Sequence, residues 1–221
     1  MRNALLASVF LLLFSASTVH AGAILINGSF EIGPAMNGLQ DVDVLAGSTA
    51  ITGWTVFGDS VDYLGSPWDV SDGEHAIDLD GRNALFSGIS QTFVTQAGQT
   101  YEVSFDLSGN PQGGNTTKQV LVSLDGFAQQ YSFSTMGQNT SSLIWTPTSF
   151  FFTATGSLAT LSFMSLSSTS SSYGPLIDNV AVTAVPEPST VLLLGTGLIA
   201  AFVLHGWRRP HVHHAFCSFW R

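Results

Sequence analysis

The 221-residue chain is 45% hydrophobic and only 10% charged, well under the roughly 25% charged residues of ordinary soluble domains, which excludes coiled coils and charge-driven disorder. Six basic residues against fifteen acidic ones leave a net charge of −9, a field that repels phosphate backbones and argues against nucleic acid as a partner. The 22 glycines point to many short strands joined by turns.

Met1-Arg2 is a short basic start, Ala4 to Phe14 is an apolar run, and Val19-His20-Ala21 precedes Gly22 as a cleavage site would require. Residues 1–23 therefore read as a secretory signal peptide whose helical apolar stretch is too short to be a bilayer anchor. From residue 24 the pattern changes to alternation. Short strands are expected at 23–26, 54–57, 61–64, 75–80 and 88–95. Residues 101–107 place Tyr101, Val103, Phe105 and Leu107 against Glu102, Ser104 and Asp106, the period of two that marks a half-buried strand. The same alternation recurs at Val120, Val122 and Leu124, at Phe150 and Phe152, and at Leu161 and Phe163, with further strands at 129–134 and 176–183. Gly98, Gly109-Asn110-Pro111, Asp125-Gly126 and Gly156 supply the turns, and Ser165 to Ser172 reads as a polar loop. Nearly a dozen strands without a convincing helix make residues 24–185 an all-β domain, a β-sandwich.

Val185-Pro186-Glu187-Pro188 ends that domain, because two prolines cannot continue a strand ladder. An uncharged run follows from Val191, and residues 191–207 form an expected transmembrane helix, marginal in length, closed by the basic pair Arg208-Arg209. The order Pro186, Glu187, Pro188, apolar helix, Arg208, Arg209 closely resembles the PEP-CTERM sorting signal of Gram-negative bacteria. That resemblance implies transient insertion in the inner membrane, cleavage by an exosortase near Pro186 to Pro188, and delivery to the cell surface or extracellular matrix. The signal spans 186–209. Residues 210–221 continue as a tail of unknown role, with His211, His213, His214 and the single cysteine, Cys217. Without it the secreted domain can form no disulfide. Arg82 and Lys118 face fourteen acidic residues there, a net charge of −12.

Several residues could carry chemistry. Gly58-Asp59-Ser60 looks like the start of an esterase, but His75 is the only histidine of residues 24–185 and no helix follows the serine. Asp78 and Asp80 share one side of a strand, expected to face solvent. Asp178 shares parity with Val180 and Val182, so its carboxylate is expected on the core side, where a cation or backbone donors must satisfy it. Trp68, in the loop Gly65-Ser66-Pro67-Trp68-Asp69, lies outside the strand pattern and is the expected aromatic platform for a sugar, with Asp62, Tyr63 and Asn110 as polar companions. Trp54 and Trp145 read as core.

The strings NGSFE at 27–31, AGSTAITGWTV at 46–56, SVDYLG at 60–65, SDGEHAIDLDG at 71–81, ISQTF at 89–93, AGQTYEVSFDLSGNP at 97–111 and YGPLIDNVAVT at 173–183 together resemble the choice-of-anchor C family. It is related to the domain of unknown function 642 group, whose fold is a galactose-binding-like jelly roll. The resemblance implies that fold and carries no established activity. Related carbohydrate-binding sandwiches hold a structural Ca²⁺ through a Glu in an NGxFE-like string and an Asp in the last strand, which here implies Glu31 and Asp178, with backbone carbonyls completing the ligand set. The functional expectation is a secreted, non-catalytic surface or matrix protein that binds exopolysaccharide or cell-surface glycan; the alternatives are an adhesive protein without a small ligand, and a hydrolase.

One test follows for sorting. Replacing Arg208 and Arg209 by Glu should remove the stop that orients the helix and mislocalise the protein. Mass spectrometry of the surface protein showing an intact C-terminus through Arg221 would overturn the cleaved-signal reading.

Overall fold

The structure, a computed structural model, describes residues 24–82, 86–166, 172–186, 195–197 and 199–200. The expected signal peptide 1–23, most of the expected helix 191–207, the sorting residues Glu187, Pro188, Arg208 and Arg209 and the 210–221 tail lie outside the described residues. Among the described residues no helix is long and apolar enough to cross a membrane. The chain divides into the units Met1–Val185 and Pro186–Arg221, and every described strand belongs to the first.

Eleven strands are described: β1 Asp41–Leu45, β2 Thr55–Phe57, β3 Ser60–Leu64, β4 Ala76–Asp78, β5 Gly88–Val94, β6 Thr100–Gly109, β7 Thr117–Leu124, β8 Phe127–Ser134, β9 Thr146–Thr153, β10 Leu158–Ser165 and β11 Pro175–Ala184. They form a six-stranded sheet in the order β1-β3-β4-β11-β6-β9 and a five-stranded sheet in the order β2-β5-β10-β7-β8. The expected sandwich is therefore present. The apolar member of each alternation faces the other sheet: Val61, Tyr63, Ile77, Val103, Phe105 and Ile177 from the first sheet, Val56, Ile89, Val120, Val122, Leu161 and Phe163 from the second. Trp54 is at its centre, 5.4 Å from the Phe30 ring and 6.3 Å from Phe163.

Two strand expectations change. Asp41–Leu45 is a strand although two of its five residues are aspartates, because Val42 and Val44 alternate toward the core. Of the strand expected at 23–26, the described residues 24–26 form no strand. Instead the Gln91 side chain imitates a ladder: its Nε2 donates to the Ile26 carbonyl at 2.9 Å and its Oε1 accepts from the Ile26 amide at 2.7 Å. The segment then turns through Asn27 and Phe30, both at positive φ. The Trp54 Nε1 and Tyr63 hydroxyl donate to their carbonyls, at 3.0 and 2.7 Å.

Gly28 is where this segment meets β11. The Val180 amide donates to the Gly28 carbonyl at 3.0 Å, and a Cβ on residue 28 would lie 1.9 Å from the Val180 oxygen. Both groups are backbone and cannot swing aside, so Gly28→Ala should cost at least about 2 kcal/mol of stability. An unchanged denaturation midpoint would show that the two segments do not pack together.

Candidate functional site

In the six-stranded sheet the residues between the core positions project onto the outer face. Asp43 pairs with Asp62, Asp62 with Asp78, Asp78 with Leu176 and Leu176 with Ser108, so three carboxylates stand in one cross-strand row. Like charges directly opposite each other are unfavourable. Burial pushes the Asp62 carboxyl up to about 7, with Asp41 and Asp43 adding to the rise and Arg82 opposing it. Burial also drives Asp78 well above its usual range. Asp78 and Asp80, expected to face solvent, are in fact fully buried. The reason is a lid of backbone: the Asp78 Oδ1 accepts from the amides of Asp80 and Gly174, and its Oδ2 accepts from Asn110 Nδ2 at 2.7 Å. Lys118 is buried close by, and its Nζ donates to the Tyr173 carbonyl at 2.6 Å.

Asp178 also stands on this outer face, not on the core side. Between Asp178 and Ala181 the register against β6 shifts, three residues of β11 spanning Asp106 to Ser104, and Asn179 takes φ of 50°. This bulge inserts one residue and inverts the parity that simple alternation predicts. Ile177 and Val180 are both core while Asp178 pairs with Asp106. The carboxylate is nevertheless inaccessible, because the loop that follows β3 folds over it. The amides of Ser71 and Asp72 donate to Asp178 Oδ2 at 2.8 and 2.9 Å, and the Asn179 amide donates to Oδ1. Burial pushes this carboxyl up to about 7 against those donors. The Ser71 hydroxyl donates to Asp106. Two residues later the same loop delivers the amides of Glu74 and His75 to Glu31 Oε1 at 3.0 and 3.1 Å.

Glu31 and Asp178, the residues expected to hold Ca²⁺, are thus both engaged by amide donors of one loop. Ca²⁺ takes six to eight oxygen ligands. Among the described residues no group of three or more His, Cys, Asp or Glu side chains converges as a metal site. N–H groups are directed at three of the four oxygens of the two carboxylates, so an ion bound there would have to displace amide donors.

The same loop presents Trp68. Its half-buried ring packs on a small second apolar cluster of Leu64, Leu143 and Leu176, shared with Trp145. Trp145, expected in the core, is only half-buried against this outer cluster, while Trp54 belongs to the inter-sheet core. Asp69 fastens the loop from beneath, its Oδ2 accepting from the Leu143 amide at 2.8 Å. Beside Trp68 opens a pocket of about 190 Å³ whose lining includes Asp41, Asp62, Arg82, Asn110, Gln112 and Tyr173. On its other side Trp68 borders an open groove of about 730 Å³ with Met36, Leu39, Glu74 and His75.

Three of the four expected ligand residues, Trp68, Asp62 and Asn110, therefore line one pocket. Asn110 is committed to structure, its Nδ2 on Asp78 and its Oδ1 accepting from the Gln112 amide. Tyr63 is a correction: one residue out of phase with Asp62, it points into the core, with 1% of its surface exposed and its hydroxyl on the Phe30 carbonyl. Sequence reasoning missed Asp41, Gln112, Tyr173 and Arg82; the signal available was Arg82 as one of two bases in the domain. A serine hydrolase arrangement is absent at Ser60. That residue opens β3, whereas His75 bonds the Leu64 carbonyl at the far end, about 13 Å away along four strand residues.

Residues 184–209 match the PEP-CTERM protein-sorting motif. Halomucin of Haloquadratum walsbyi is 33% identical over 172 residues, covering 73% of this chain and 2% of its own length, so the chain spans only a small part of that relative. Similar solved structures include TmCBM61 in complex with β-1,4-galactotriose, at 16% identity and a TM-score of 0.49 over 75% of this chain and 100% of that one. The CBM22-1 xylan-binding domain of Paenibacillus barcinonensis Xyn10C has 18% identity and a TM-score of 0.43 over 67% and 94%. Residues 23–183 match the family described as Protein of unknown function (DUF642), and the chain belongs to that family.

Proposed function

We propose that residues 24–185 are a non-catalytic glycan-binding domain, exported by its signal peptide and sorted to the cell surface or matrix by the C-terminal motif through an exosortase. The choice-of-anchor C grouping belongs to this reading. The observation that carries it is the pocket on the outer face of the six-stranded sheet. Sugar recognition needs an aromatic face for C–H groups beside converging donors and acceptors. Trp68 and Tyr173 supply the first; Asp41, Asp62, Arg82 and Gln112 supply the second. A net charge of −12 over residues 24–185 disfavours polyanions, so the favoured ligand is a neutral or weakly charged glycan.

Tyr173→Ala and Asp62→Ala should each weaken retention by a neutral polysaccharide in affinity electrophoresis by roughly tenfold, the effect of losing one well-placed contact. Trp68→Ala should weaken retention and lower the melting temperature as well, because its ring covers Leu64 and Leu176. If no neutral glycan on an array is bound, or if both pocket variants bind unchanged, the pocket is not a glycan site.

The pH dependence of folding tests the electrostatics. The carboxyls of Asp62 and Asp178 are raised from 3.8 to about 7 in the folded protein, so their protonated forms favour folding. The stabilisation is complete below about 4 and is lost as pH rises through 7. Melting temperature should therefore climb as pH falls from 8 to 5, and Asp178→Asn should flatten that climb. If Ca²⁺ raises the melting temperature at pH 8 and flattens the profile of the unsubstituted protein, Glu31 and Asp178 are cation ligands and the amide caps give way to the ion.

A further inference from the structure

The four edge strands of the sandwich differ in how they discourage pairing with another chain. An open edge presents unpaired amides and carbonyls, and charge, proline or shortness normally blunts it. β1 carries Asp41 and Asp43, β9 carries Pro147, and β2 has three residues. The fourth edge, β8, has none of these. Its eight residues, FAQQYSFS, contain no charge, proline or glycine, and its register with β7 runs unbroken from Leu124 and Phe127 to Thr117 and Ser134.

The Asp125-Gly126 turn, with both residues at positive φ, is a two-residue hairpin loop. In that geometry Phe127, Gln129, Tyr131 and Phe133 exchange hydrogen bonds with β7, while Ala128, Gln130 and Ser132 turn their amides and carbonyls to the open side. Ala128, Gln130 and Ser132 are exposed. The open stretch ends at Ser134, whose carbonyl accepts from Gln138 Nε2. On the core-facing side Phe127, Tyr131 and Phe133 remain only half-buried at the sheet margin.

We propose that β8 pairs antiparallel with β8 of a second copy of this chain, joining the two five-stranded sheets into one of ten strands. Charge selects this occupant. The domain carries fourteen acidic residues, so two copies repel wherever acidic surfaces meet. The outward residues of the five-stranded sheet near this edge, among them Gln119, Leu121, Ser123, Ser162 and Thr160, are uncharged. With Gln130 on the two-fold axis, Ala128 lies opposite Ser132 of the partner, and Phe127 lies beside the partner's Phe133, which covers both rings. The two Asp125 turns then sit at opposite ends of the pair, about 34 Å apart along ten strand residues, far beyond the roughly 8 Å screening length.

The test uses the full chain in detergent with Cys217→Ser, so that an introduced thiol is the only one. In a hydrogen-bonded antiparallel pair the two Cα atoms of residue 130 would be about 5.5 Å apart, within disulfide reach. Under mild oxidation Gln130→Cys should give roughly tenfold more cross-linked dimer than Thr92→Cys, which sits on the same sheet face on β5. Adding Ala128→Lys and Ser132→Lys, which oppose each other across the pair, should remove the excess while the melting temperature reports an intact fold. Equal cross-linking at positions 92 and 130, as association through the C-terminal segment would give, overturns the proposal. So does an excess that survives the two lysines.

Discussion

The candidate site depends on two carboxylates that accept the backbone of a single loop. Asp178 takes the amides of Ser71 and Asp72, and Glu31 takes those of Glu74 and His75. A carboxylate can hold several donors at once, and each such bond is stronger than a neutral one. A segment without regular structure thereby gains the fixed backbone that a strand would otherwise supply. Trp68 stands on this segment, and His75 closes it by stacking on the Tyr63 ring at 4.6 Å.

Anchoring a loop this way concentrates acid on one side of the molecule. Asp43, Asp62 and Asp78 lie in one row, and Asp106 and Asp178 in another, on the outer face of a single sheet. The only two bases of residues 24–185 answer that charge, Arg82 at the rim of the pocket and Lys118 by reaching from β7 of the other sheet to the Tyr173 carbonyl. Burial nevertheless outweighs Arg82 at Asp62, whose carboxyl sits well above its ordinary value. The result is a polar recess with both donors and acceptors, bounded by aromatic rings, in a domain that is otherwise strongly acidic.

The opposite outer face is chemically different. Its exposed positions carry no charge: Thr92, Thr160 and Gln130 are polar, with Thr92 and Thr160 bonded to each other across β5 and β10, while Val94 and Leu158 are apolar. Polar groups without charge keep that face wet but give it no long-range repulsion. The two carboxylate rows and the glycan candidate occupy one side of the sandwich, and the edge open to pairing belongs to the other sheet.

Alternation by itself determined most of the architecture. Each run of apolar residues spaced by two, from Tyr101 through Leu107 and from Val120 through Leu124, can bury its face only in a sheet, and the prolines at 186 and 188 can only end one. The importance of Trp68, Asp62 and Asp178 was also legible, because a loop aromatic and unpaired acids demand a partner. Tertiary structure alone decided which way they point. One extra residue at Asn179 moved Asp178 to the other face, a parity change that no periodicity reveals because alternation assumes an unbroken register. Tyr63 and Asp62, adjacent in sequence, were separated into core and pocket by the pleat. Tyr173 and Arg82 reached that pocket only because antiparallel pairing of β4 with β3 and β11 brings distant loops to one end of the sheet, a long-range contact that local sequence does not encode.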